Sequence, residues 1–477
     1  MNNGLIEKVF YRKQTLSKNI EKIDLQGHCV IPGFTDCHTH LVSKGIALQR
    51  IDLEQCTSLK DCFEKIRAEL HRDNEILFGV SWDESKWQKD EKNKLNKNVL
   101  DKISLTKPII MRRVCGHFAV VNAKALTFIP KHWQIVDRQS GYLYEDVALN
   151  LNEIFKPSET MFKKAIDLAT TYALAHGVTS IHEITNPRQL EILQTVNSAG
   201  RLKLRVSIYL PIKYLSSDLQ IRPSNDFLKF MGIKIFVDGS IGAKTAGLTR
   251  SYKNSRFRGE LLFSKQNLSA VVRNAEANGF QLMIHTIGDR ATHQVLYAFE
   301  NCLKKGNRLR HRLEHIEILD DSAIDQMAKM NLIASMQPNF VRRWQNPGGL
   351  YDTCLGARYK DMNPFRKLVK AGVRLIFGSD CMPLGPLYGI QGAVEHPFAT
   401  GRLTRFEALK LYTKEGPYAT FDERKKGTLE TGNLADLAVL DKDPLEKNDL
   451  DKIKILMVFV DGDCVYNNHA LTKRFHE

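Results

Sequence analysis

No apolar run in this chain of 477 residues approaches the roughly 18–20 residues that a membrane helix needs, and the opening Met1-Asn2-Asn3-Gly4-Leu5-Ile6 lacks the apolar core of a signal peptide. A membrane partner is therefore not expected, and the cytoplasm is the expected location. Proline is sparse, and there is neither an internal repeat nor a Ser/Gly-rich linker, which excludes collagenous, disordered and low-complexity organisations. The nine cysteines are scattered, odd in number and without a C-x-x-C pair. A disulfide framework and a zinc ribbon are both disfavoured by that pattern, and reduced thiols fit it better. Acidic residues are outnumbered 54 to 69, which leaves a net charge of +15. The densest basic stretch, Lys304 to Arg312, carries no interleaved aromatics for stacking bases, so it reads as a solvated face and nucleic acid is not an expected partner. The basic balance leans towards an anionic small-molecule substrate. A homo-oligomer is left open.

What is present is alternation. Short apolar runs of strand type at 178–181, 204–210, 233–237, 281–284, 312–316, 332–336 and 374–377 are separated by longer stretches, several with helical spacing, such as 268–278, 292–305 and 322–330. Strands alternating with helices predict a parallel sheet. The run Cys29 to Asp36 supplies an eighth strand, so the expected fold is α/β, a TIM-like (β/α)8 barrel. The segment 51–157 is too long for a bare loop and is expected to fold as a cap inserted after the first barrel strand. Residues 425–477, with β-type runs 437–440 and 457–460 and the turn signal Asp461-Gly462, are expected to form a small composite β domain with residues 1–28. The first barrel strand and its motif then occupy 29–50, and the rest of the barrel 158–424.

The sharpest chemical feature is Asp36-Cys37-His38-Thr39-His40 at the end of the first expected strand. Residues i and i+2 of an extended strand project to one side, so two imidazoles can converge on one metal ion. His285 ends a later strand, His315 falls late in the next, and Asp380 follows Phe377-Gly378-Ser379 at the end of the last. Ligand-type residues at several strand ends describe a metal site at a barrel mouth. Lys234 stands inside the apolar strand Ile233-Lys234-Ile235-Phe236-Val237, where an ammonium is costly unless neutralised or paired. It is read either as the partner of a nearby carboxylate or as an amine that captures carbon dioxide to become an anionic carbamate ligand.

These motifs, together with Gly177-Val178-Thr179-Ser180-Ile181-His182-Glu183, Asp238-Gly239-Ser240, His285-Thr286-Ile287-Gly288-Asp289-Arg290-Ala291, His311-Arg312-Leu313-Glu314-His315 and Lys426 to Asp441, resemble the amidohydrolase superfamily. More narrowly they are similar to amidohydrolase family 3, the YtcJ-like branch that includes N-substituted formamide deformylase. The resemblance implies a distorted barrel with one or two divalent metals, usually Zn2+, that activate a water for attack on a C–N bond of a small amide, formamide or cyclic amide. It implies that His38 and His40 bind one metal with Asp380, that His285 and His315 bind the second, that carbamylated Lys234 bridges, and that Asp380 is the catalytic proton carrier. Arg113 and His117 match a family segment that reaches the substrate, although structural roles are equally open to them. Trp82, with Asp83 and Trp87, also matches a family pattern, which would make Trp82 a substrate contact, although packing inside the cap is the favoured reading for all three. Glu183 and Asp289 are expected to support the ligands from behind, Asp289 alternatively as a helix cap.

Two other readings fall away. Gly239 to Thr245 lacks the glycine before Lys244 and the spacing of a phosphate loop. Gly288 stands where related deaminases carry a proton-shuttling glutamate, so amide hydrolysis is preferred to deamination. The remaining alternative to an enzyme is a catalytically inactive barrel that serves as a binding or scaffolding protein; all six ligand positions hold usable side chains, which favours the enzyme. Only 22 residues precede the lead-in Ile23 to Phe34, shorter than in family members, so an open edge is expected in the small β domain.

Overall fold

The computed structural model describes residues 1–10, 22–71, 75–84, 87–91, 93–113, 118–131, 137–144, 147–148, 151–214, 225–303, 306–446 and 449–468. The chain divides into two compact units, one made of Met1–Leu41 with Thr170–Glu477 and the other of Val42–Ala169.

The first unit is built on eight parallel strands in chain order: Phe34–Thr39, Val178–Ile184, Arg205–Pro211, Leu228–Phe236, Gln281–Thr286, Arg312–His315, Ile333–Met336 and Arg374–Phe377. All seven apolar runs read from the sequence beyond residue 177 are strands, and helices such as Lys265–Asn278, Asp289–Cys302 and Asp321–Lys329 separate them. Strands covered on both faces read as near-continuous apolar runs, and every residue of Val178–Ile184 is buried. The barrel is nearly closed: beyond the last strand, Asp380 N donates to His38 O of the first at 2.7 Å. Gly378 makes that approach possible, because a Cβ there would lie 2.4 Å from His38 N.

The run Cys29–Asp36, expected as one strand, is two. Cys29–Pro32 pairs antiparallel with Leu437–Leu440 in a separate sheet, and the barrel strand begins at Phe34. Gly33 is the point of transfer: its N–H donates to Asp436 O of the small sheet, and the next N–H, of Phe34, donates to Gly177 O of the barrel. The small sheet has four strands, Cys29–Pro32, Leu437–Leu440, Ile455–Val460 and Asp463–Asn467. Its last two form a hairpin through Asp461 and Gly462, both at positive φ, as a two-residue type I′ turn requires. Near the start of the chain, Leu5 bridges Leu434, and Ile6 and Asn433 share a backbone hydrogen bond. The sheet is fastened to the third barrel strand by Arg205, whose guanidinium donates to both oxygens of Asp436 at 2.7 and 3.0 Å.

The second unit has its own five-stranded sheet, ordered Ile51–Asp52, Leu77–Trp82, Ile109–Arg113, Phe118–Val121 and Tyr142–Tyr144, parallel in its first three strands and antiparallel thereafter. Alternate residues feed two cores. Leu77, Ile109, Met111 and Val120 pack on one face with Leu53 and Ile66, while Phe78, Ile110, Ala119 and Val121 pack on the other with Leu143 and Leu151.

Candidate active site

The C-terminal ends of the barrel strands bring the expected ligands together. His38 is buried in the first strand and His40 follows it directly. Asp36, on the same strand, accepts hydrogen bonds from Ser379 N at 2.8 Å and His38 N at 3.2 Å, so one buried carboxylate ties the H-x-H segment to the turn that carries Asp380. Asp380 and Cys381 lie at φ 53° and 55°, and His315 and Ile316 at φ 69° and 39°. Side chains at positive φ are uncommon and a β-branched one is rarer, and such strain persists only where surrounding contacts over-determine it. Here Ile316 N is held by Thr286 O at 2.8 Å.

His40 Nε2 lies 3.3 Å and His38 Nε2 3.8 Å from Asp380 Oδ1, and one ligand atom from each of these residues falls within 4.8 Å of the others. The imidazoles continue as a chain, with ring centroids 4.8 Å apart for His38 and His315 and 4.5 Å for His315 and His285. Three of the rings are oriented from behind by acceptors: His38 Nδ1 by Glu314 Oε2 at 2.5 Å, His315 Nδ1 by Gln337 Oε1 at 2.7 Å, and His285 Nε2 by Gly239 O at 3.1 Å. A ring nitrogen facing an acceptor carries the proton, so the tautomers assigned by this network leave the opposite nitrogen of each ring with a free lone pair. That arrangement suits a divalent metal.

Electrostatics point the same way. Burial, reinforced by the Lys234 charge, pushes the His285 imidazole down to about 4 and those of His38 and His315 well below their usual range, so all three are neutral. For His40 burial acts downward too, but the hydrogen bond and charge of Asp380 outweigh it and the net shift is upward. Burial alone would raise Asp380; His40, His38 and Lys234 together bring its carboxyl below the ordinary value. Lys234 is fully buried, and among the described residues its Nζ has no hydrogen-bond partner. Desolvation lowers its ammonium to about 8 against the pull of Glu314 and Asp380.

Residues 21–466 match the amidohydrolase family. The chain belongs to the amidohydrolase family. Among relatives, it is 27% identical to the putative amidohydrolase YtcJ of Bacillus subtilis, over 94% of this chain and 91% of that one. It is 24% identical to the N-substituted formamide deformylase of Arthrobacter pascens, over 94% and 90%. The crystal structure of a metal-dependent hydrolase from Pyrococcus furiosus superposes with a TM-score of 0.79 at 28% identity, covering 89% of each chain. This amidohydrolase is thus a metal-dependent hydrolase on a TIM-like barrel.

The amidohydrolase places its other predicted residues less uniformly. Glu183, buried, accepts from Thr39 Oγ1 and Leu41 N, both at 2.7 Å, and so braces the segment that bears His38 and His40. Asp289 is the first residue of helix Asp289–Cys302 rather than its cap, which is Gly288; its carboxylate accepts from Thr249 N at 2.8 Å and from the Thr249 hydroxyl. Trp82 is buried in the second unit and stacks on Trp87 at 5.3 Å, so its indole is engaged in packing there. Arg113, in the same unit, donates to Glu84 at 2.8 Å. His117 lies outside the described residues.

Several contributors were missed in the sequence. Asp238 accepts from the backbone N–H groups of Ile287, Gly288 and Gly247, locking the loops on either side of His285, while burial raises its carboxyl to about 6. Arg312, Glu314 and Gln337 were also passed over. The signal for the first two was legible: charged residues at i and i+2 of a strand face one side together.

Proposed function

We propose that this amidohydrolase hydrolyses a carbon–nitrogen bond other than a peptide bond, in a small amide, formamide or cyclic amide. The observation that carries the reading is the meeting of His38, His40 and Asp380 at the barrel mouth, with Lys234 Nζ buried and without a hydrogen-bond partner among the described residues. The name of the Arthrobacter relative, an N-substituted formamide deformylase, supports the amide class. Gly288, in place of a carboxylate, speaks against a deaminase.

His38 and His40 would hold one divalent ion, Zn2+ for preference, with Asp380, and His285 and His315 would hold a second. When bound, such an ion lowers the pKa of water towards about 7 and polarises a carbonyl oxygen. Lys234 near 8 keeps an appreciable neutral fraction at neutral pH; that amine would form an N–C bond to carbon dioxide with loss of a proton, and the resulting carbamate would be a further anionic ligand. Asp380, ionised, accepts the proton of the attacking water as its oxygen bonds to the carbonyl carbon. It then returns the proton to the departing nitrogen as the C–N bond breaks, leaving an acid and an amine. The setting proposed is cytoplasmic, with a small-molecule substrate and no nucleic-acid partner.

Elemental analysis of the purified protein and of Lys234→Ala tests the centre without a known substrate. About two metals per chain, falling in the variant, is the expected result. One metal insensitive to Lys234→Ala would retain the hydrolase and remove the carbamate. No metal after purification with zinc and bicarbonate would remove the mechanism and leave the inactive scaffold.

A further inference from the structure

Behind the histidines lies an ion pair with no solvent contact on either side. Arg312 and Glu314 are both fully buried, and Arg312 is the largest completely buried side chain among the described residues. Arg312 Nε donates to Glu314 Oε1 at 2.6 Å and Nη2 reaches Oε2 at 3.2 Å. The same guanidinium donates to Cys37 O at 2.5 Å, to Ser335 Oγ at 2.7 Å and to His182 Nδ1 at 2.6 Å. It therefore joins the first, second, sixth and seventh barrel strands, and its bond to Cys37 O holds the backbone immediately before His38. Glu314 Oε2, held from one side by Arg312, meets His38 Nδ1 on the other.

A buried ion pair is often no more stabilising than apolar residues of the same volume, so stability alone gives no reason for its presence. Its geometry does. We infer that Glu314, clamped by Arg312, is a positioning residue for the metal centre: it keeps the His38 proton on Nδ1 and turns Nε2 towards His40 and Asp380. The inference rests on the metal reading proposed above. It also sets His38 apart from His315 and His285: His315 is oriented by a neutral amide and His285 by a backbone carbonyl with the Asp238 carboxylate farther off at 3.8 Å, whereas His38 meets a carboxylate with a fixed counter-charge at hydrogen-bond distance. An anionic acceptor makes the opposite ring nitrogen a stronger donor to a cation.

The test is the zinc affinity of metal-free full-length protein, measured by competition with a chromophoric chelator, for wild type, Glu314→Gln and the double variant Arg312→Met/Glu314→Met, which removes the acceptor facing His38 as well as both charges. The single variant strands a buried guanidinium and is expected to lose both melting temperature and affinity. The double variant removes both charges; its melting temperature is expected to recover while its zinc affinity stays about 10- to 100-fold below wild type. Recovery of affinity together with stability would show the pair to be packing only and would overturn the inference. A wild-type protein that binds no zinc would overturn the metal reading itself, and this inference with it. Should the variants fail to fold, long-range proton–nitrogen correlations on metal-free wild type decide, with the His38 signals identified by their loss in His38→Asn. A proton on Nδ1 is expected, and a ring protonated on Nε2 would overturn the inference.

Discussion

Asp380 joins a backbone in the left-handed region to a carboxylate that two histidines and a lysine keep ionised. Both properties come from one turn, because Ser379 N and Asp380 N are anchored to Asp36 and to His38 O of the first strand. Its proposed task is to move one proton twice, which an amide cannot do. Asp380→Asn is therefore expected to retain the fold and to lower turnover of any amide substrate by roughly 10²- to 10⁴-fold. The check is steady-state hydrolysis of an amide and formamide panel alongside circular dichroism; a variant as active as wild type would remove Asp380 from the proton path.

Between elements, the decisive place is the seam where the last barrel strand returns to the first. A Cβ at Gly378 would meet His38 N at 2.4 Å and His38 Cβ at 2.7 Å, contacts with backbone and near-backbone atoms that have no flexible end to move aside. Gly378→Ala is expected to destabilise the protein by about 1–3 kcal/mol and to reduce bound metal, since separating the strands displaces Asp380 from His38 and His40. Chemical denaturation with parallel metal analysis checks both halves. Loss of stability with full metal content would mean that the seam supports the barrel but not the ligands.

For the whole molecule, buried neutral histidines make stability depend on pH. His396 packs away from the ligand cluster against Phe365 and Gly401, and burial brings its imidazole down to about 4. In the unfolded chain the ring titrates near 6.5, so below that value the unfolded state binds the proton first. The contribution of His396 is thus complete above about pH 6.5 and is lost progressively as the pH falls towards 4. Denaturant midpoints between pH 7.5 and 4.5 should decline, and His396→Gln should show a shallower decline than wild type. An unchanged slope would place the titration elsewhere.

The barrel was legible in the sequence because its signals are local. An apolar run such as Ile333–Met336, bounded by helical spacing, identifies itself within a dozen residues, and the i, i+2 spacing of His38 and His40 puts two rings on one side of a strand wherever that strand lies. The division at Gly33 was not legible, since Cys29–Asp36 reads as one apolar stretch and only its partners, Leu437–Leu440 on one side and Val178–Ile184 on the other, divide it. Trp82, Trp87 and Arg113 carried a family pattern, but the stacking of Trp82 on Trp87 and the pairing of Arg113 with Glu84 are set only by folding. The same holds for the nitrogen each histidine keeps free, which depends on Glu314, 276 residues from His38, and on Gln337 and Gly239. Residue types and strand order follow from the chain itself, whereas tautomer, charge state and clamp follow from which distant groups a closed barrel forces into one dry interior, where an unpaired charge or proton has no water to turn to.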